Sequence, residues 1–191
     1  MEEKENVALD TVPKIFWNAV NTRKNKTAMR EKDLGIWQSI SWREYGDKAK
    51  YVGLALNSLG LNKNDVVSIA SEGIPEWLFT DLGVICVGGI SSGVYTTDSS
   101  SQVEYLVNDS KTSFYFAENE EQLDKILEVR ESCPSLKKII IYDLEGLHDF
   151  SDPQVMSFSE LIKLGETIDK NNPDLFEHLM TKVTPEDIAI L

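Results

Sequence analysis

The chain has 191 residues, 41% hydrophobic and 27% charged, enough apolar material for the core of one good-sized domain. Its 19 Lys and Arg against 32 Asp and Glu leave a net charge of −13, which argues against the clustered cationic surface that nucleic acid requires. Cys86 and Cys133 form no C-x-x-C pair and have no His-rich companion, so neither a disulfide scaffold nor a zinc site is expected.

Residues 1–10, MEEKENVALD, form an acidic tail without the apolar centre of a signal peptide. No segment approaches the ~20 apolar residues of a membrane span. A cytoplasmic location is expected, with peripheral contact at a membrane left open. Thr11 caps a first helix whose inward face carries Ile15, Phe16, Ala19 and Val20. TAMREKDLGIWQSI then reads as a hairpin turning at Lys32-Asp33-Leu34-Gly35. SWRE is a capping box, Ser41 with Glu44, that opens a long helix with Tyr45, Ala49, Val52, Leu56 and Leu59 inward. Gly60 supplies its left-handed end and Leu61 the apolar contact after it.

VVSIAS is a short buried strand, and Pro75 opens the helix PEWLFTDLGVICV, apolar on most sides. Gly88-Gly89 ends that helix, and ISSGVY follows as a strand. Asp98 or Ser99 caps a helix through Val103, Leu106 and Val107; SFYFA is the next strand, EEQLDKILEVRE a helix, and Lys138 to Asp143 another strand. LEGLHDFSDPQ reads as loop, SELIKLGETI and PDLFEHLM as short amphipathic helices. Thr184-Pro185-Glu186-Asp187 is a turn, and Ile188 to Leu191 the start of a strand. The fold class is therefore α/β: β-α-β units with a mainly parallel sheet flanked by helices, plus an N-terminal hairpin.

No catalytic pattern emerges from the residues. The glycines Gly88, Gly89 and Gly93 follow a helix and precede a strand, the reverse of a phosphate cradle. Ser99, Ser100 and Ser101 lack G-x-S-x-G and fit a helix cap. His148 and His178 have no metal-spaced partner and are expected at the surface. Glu118, Glu120 and Glu121 suit a helix dipole. Trp17, Trp37, Trp42 and Trp77 do not interleave with basic residues and are expected as core and hairpin anchors. No catalytic, cofactor-binding or metal-binding residue is assigned.

The order of segments from Ile40 to Leu127 resembles the N-terminal region of the AMP-forming acyl-CoA synthetases. The likeness is carried by W-R-E-Y at a helix start, L-G-L-N-K-N-D before V-V-S-I-A, G-I-P-E-W, G-G before V-Y-T-T, and Y-L-V-N-D-S before an apolar strand. G-V-Y-T-T and EQLDKILEVRESCPSLKKIIIYD are most similar to the long-chain fatty-acid–CoA ligases, including the bubblegum type. The resemblance implies that residues 11–191 are an incomplete N-terminal domain of an adenylate-forming enzyme, ending before its phosphate-binding loop. ATP, magnesium and CoA are implied for the parent enzyme and none for this stretch. The implied partners are the remainder of the polypeptide, a fatty acid and CoA, with a homodimer left open and no nucleic acid. Another adenylate-forming ligase (medium-chain, aryl-CoA or an adenylation domain) and a non-enzymatic α/β interaction module are the alternatives. A receiver-type module is disfavoured because VVSIAS ends in Ser71-Glu72 without an acidic pair.

Overall fold

The computed structural model describes residues 9–191. The acidic tail, apart from Leu9 and Asp10, lies outside the described residues. Helix α1 (Val12–Arg23) begins at Thr11, whose hydroxyl accepts the Lys14 N–H at 3.5 Å. Phe16 and Val20 enter the core, but Ile15 is 53% exposed, contrary to its expected inward place. Helix α1 packs through Phe16, whose ring lies edge-on to Tyr45 with centroids 4.8 Å apart, and through Trp17 on Phe176, and Ile15 lies off these contacts.

Strands β1 (Thr27–Asp33) and β2 (Ile36–Ser41) pair antiparallel as a separate two-stranded sheet. Leu34 and Gly35 have φ of 44° and 84°, the doubly positive φ of a two-residue hairpin turn. The capping box forms as expected. Ser41 N–H donates to Glu44 Oε2 at 2.7 Å, the Glu44 N–H donates to Ser41 Oγ at 3.2 Å, and α2 (Trp42–Ser58) follows. At its end Gly60 takes φ 96°, and the Leu61 N–H donates to the Leu56 carbonyl at 2.9 Å.

The second sheet has five parallel strands in the order β4-β3-β5-β6-β7: β3 (Val66–Ala70), β4 (Ile90–Val94), β5 (Phe114–Ala117), β6 (Lys138–Ile141) and β7 (Val155–Ser157). Between them run α3 (Pro75–Cys86), α4 (Ser100–Ser110) and α5 (Glu120–Val129), with α6 (Phe158–Asn171) and α7 (Leu175–Met180) following β7. One face of the sheet presents Val67, Ile69, Phe114, Phe116 and Ile140 to α2, α3, α6 and α7. The other presents Tyr115, Ala117, Ile139 and Ile141 to α4 and α5. Burial on both faces is what the continuous apolar runs require.

Close helix packing explains three glycines. A Cβ on Gly83 would lie 2.6 Å from the Ala49 carbonyl oxygen, one on Gly53 2.6 Å from the Gly83 oxygen, and one on Gly165 1.9 Å from the Tyr51 oxygen. Helix α2 is thus sandwiched between α3 and α6 with almost no side-chain spacer.

The segment after Asp143 is more ordered than its composition suggests. Val155–Ser157 adds a parallel strand to β6, and Ser157 with Glu160 makes a further capping box that starts a 14-residue helix. At the opposite edge Ile190 bridges Ser91 in parallel: the Ser91 N–H donates to the Ala189 oxygen at 2.9 Å and the Leu191 N–H to the Ser91 oxygen at 3.0 Å. Asp187 anchors the preceding turn through Lys63 Nζ at 2.7 Å.

Candidate functional site

Strands β3, β5 and β6 end at one edge of the sheet, at Ala70, Ala117 and Ile141. From β3 the chain turns to α3 on one face; from its neighbour β5 it turns to α5 on the other. Adjacent strands whose connections diverge leave a crevice at their carboxyl ends, the usual ligand position in open α/β sheets.

The crevice is organised by Glu72 and Glu118. The Glu72 N–H donates to Glu118 Oε2, and Thr96 Oγ1 donates to Glu72 Oε1, tying the loops after β3, β4 and β5 together. Lys125 Nζ and Gln122 Nε2 both donate to the Thr96 carbonyl, at 2.6 and 3.2 Å. These groups line a cavity of about 430 Å³. Beyond Glu118 lies a larger cleft of about 640 Å³, floored by Ile74, Phe79, Tyr142, Phe158 and Ile162 and rimmed by charged residues that include Lys48 and Lys163. Tyr142 shares a 2.7 Å hydrogen bond with Thr80 and stacks obliquely on Phe116, ring centroids 5.6 Å apart. Burial holds its phenol well above the ordinary tyrosine range, so the hydroxyl stays protonated and serves as a hydrogen-bonding group. Burial likewise raises Glu76, on the cleft wall.

The residues singled out in the sequence take structural places. Gly88 adopts φ 86° at the end of α3, and a Cβ on Gly89 would meet Val84 at 2.9 Å. Ser99, not Asp98, is the cap of α4, in a capping box with Gln102. His148 and His178 are exposed and stand on different elements. Cys86 and Cys133 are buried free thiols, pushed up by burial and therefore unreactive. Trp17 donates to Glu177 at 2.9 Å and packs on Phe176. Trp42 and Trp77 are half-buried against the core. Trp37 is 63% exposed and anchors nothing, which corrects its expected role. Among the described residues no group of three His, Cys, Asp or Glu side chains is disposed to hold a metal ion. The crevice itself, assembled from Glu72, Thr96 and Glu118, had no signal in the sequence.

A profile of the family described as AMP-binding enzyme matches residues 16–191. The long-chain-fatty-acid–CoA ligase ACSBG1 of Rattus norvegicus is 31% identical over 158 residues, covering 83% of this chain and 22% of that protein. ACSBG2 of Xenopus laevis, with the same description, is 30% identical over 164 residues, 86% of this chain and 22% of that protein. The crystal structure of the anthranilate CoA ligase AuaEII in complex with anthranoyl-AMP superposes with a TM-score of 0.69 at 24% identity, over 79% of this chain and 27% of that one. The chain thus spans about a fifth of the length of the curated relatives it matches.

Proposed function

Because this chain belongs to the AMP-binding enzyme family, we propose that it forms part of a ligase that joins a long-chain fatty acid to CoA at the expense of ATP. The observation that carries the acyl class is the 31% identity, across 83% of this chain, to a long-chain-fatty-acid–CoA ligase. In such a reaction the fatty-acid carboxylate attacks the α-phosphorus of ATP, pyrophosphate leaves, and the CoA thiolate displaces AMP from the acyl-adenylate.

Nucleotidyl transfer depends on donors and charges held around the phosphates. The described residues offer no magnesium ligand set of their own, and no step is routed through one. The crevice lies at a sheet edge where a ligand would be expected, but Glu72 and Glu118 set carboxylates there, and its one lysine, Lys125, is already held by the Thr96 carbonyl and the Glu121 carboxylate. The proposed contribution of residues 9–191 is therefore architectural: a rigid parallel sheet whose carboxyl edge forms one wall of the site. By itself the chain is inactive.

Two measurements test this. The purified 191-residue chain, given Mg·ATP, labelled pyrophosphate and palmitate, is expected to show no ATP–pyrophosphate exchange; exchange above background overturns the architectural role. A chimera carrying this chain in place of the matched stretch of the rat ligase is expected to make palmitoyl-CoA. A folded chimera without thioester synthesis overturns the long-chain assignment.

A further inference from the structure

Two buried polar side chains meet at the β4 edge of the sheet. Asp81 of α3 is 6% exposed and Ser91 of β4 1%. Ser91 stands in register with Val67 and so shares its face of the sheet, the one toward α3. Ser91 is the one polar group there that favours the Asp81 carboxylate, but no hydrogen bond joins them: Asp81 Oδ1 and Ser91 Oγ both lack a partner among the described residues. Nor does any Lys, Arg or His among those residues come within 4.0 Å of the carboxylate. The ionisable groups that face Asp81 are Tyr45 from α2, Cys86 from α3 itself and Tyr142 just beyond β6. Burial raises all three, so they are uncharged at neutral pH. Helices α1 and α7 also pack on α3, but their charged side chains, Lys14, Arg23, Glu177 and His178, lie at the surface. Asp81 is thus the only group of this layer that changes charge in the carboxylate range.

Ser91 is also the seat of the segment Ile188–Leu191. Both backbone bonds of that segment to the sheet are made with this one residue, from the Ser91 N–H to the Ala189 oxygen and from the Leu191 N–H to the Ser91 oxygen. Ile188, Ile190 and Leu191 are each more than half exposed, so burial adds little to their attachment. A segment held this way opens at low cost, and its opening follows the state of Ser91.

We propose that Asp81 is a proton-operated latch on this edge. With its proton, Asp81 can donate to Ser91 across the α3–β4 seam, and Ile188–Leu191 stays seated on β4. Once the proton passes to water, a carboxylate is left buried without a cation; the seam loosens at Ser91 and the segment is released. Burial raises the Asp81 carboxyl above the ordinary 3.8. The unfolded chain therefore ionises first as pH rises, and the folded chain carries a penalty that grows above 3.8 and is complete once Asp81 itself has ionised. The nearby Asp187 runs the other way. Its hydrogen bond from Lys63 lowers its carboxyl, so its contribution is lost in acid.

Amide hydrogen exchange in the 191-residue chain and its Asp81→Asn variant tests the latch. The Ser91 amide is read against that of Ile139, which donates to the Gln154 oxygen on the far side of the sheet. At neutral pH Asp81→Asn should raise Ser91 protection at least about fivefold, the low end for relieving an unsatisfied buried polar group, and raise it more than Ile139 protection. The gap between the two proteins should close as pH falls toward 3.8, where Asp81 holds its proton in both the folded and the unfolded chain. Asp187 is common to both proteins and drops out of the comparison. Equal gains at Ser91 and Ile139 would make the effect global and overturn the latch. Unchanged or lower Ser91 protection, or a gap undiminished in acid, overturns it as well. Asp81→Leu removes the same charge and decides the question if the Asn variant does not fold.

Discussion

The parallel sheet and the hairpin are both regular, fully paired β structures, yet their side chains meet opposite environments. Phe114, Tyr115, Phe116, Ile139 and Ile140 are fully buried, whereas every residue from Lys32 to Ser39 is exposed. Backbone pairing is common to both, so pairing does not cause burial. The sheet is covered on each face by helices; the hairpin has only its inner end against α2 and no third strand. What differs is side-chain chemistry: VVSIA and FYFA gain by losing water on both faces, and TAMREKD does not.

The largest test of this contrast is Phe116→Ala in the middle of the sheet. It leaves a cavity against Tyr142 and should cost about 4 kcal/mol in a denaturant melt. A cost below about 1 kcal/mol would mean the sheet's core collapses as readily as a surface site.

Ser41→Ala acts at the junction of the two regions and should cost about 1 kcal/mol. Glu44 completes the cap, and its hydrogen bonds from the Ser41 backbone and side chain hold its carboxyl below the ordinary value of 4.5. A depressed folded value means stability that is present above pH 4.5 and lost as pH falls through the lower one. The Ser41→Ala penalty should therefore shrink in acid melts, and a penalty constant from neutral pH to pH 3 or so would rule out the Glu44 part of the cap.

The smallest expected effect is at the tip. Trp37→Ser should change stability by no more than about 0.5 kcal/mol, because the indole has little contact to lose. A penalty comparable to that of Phe116→Ala would place the tip inside the cooperative fold and break the comparison.

The legible parts of the fold were those written in consecutive residues. The apolar runs at Val66, Phe114 and Lys138 became parallel strands, and S-W-R-E became a capping box because each device is complete within four or five positions. Strand β7 was not legible: Val155–Ser157 is three residues long, and its strand character comes from pairing with β6. Ile15 was misplaced because helical periodicity identifies an apolar stripe without saying how wide the neighbouring helix will cover it.

Local chemistry alone therefore determined the α/β class, the hairpin turn at Leu34-Gly35, the helix caps and the apolar strands, because turn geometry, capping and burial preference act over a few residues. Tertiary structure decided the rest. It set the strand order, joined Glu72, Thr96 and Glu118 in one crevice, and brought Gly165 of α6 against the Tyr51 carbonyl of α2. Those contacts link residues up to 114 positions apart, and they exist only once helices on both faces have closed over the sheet.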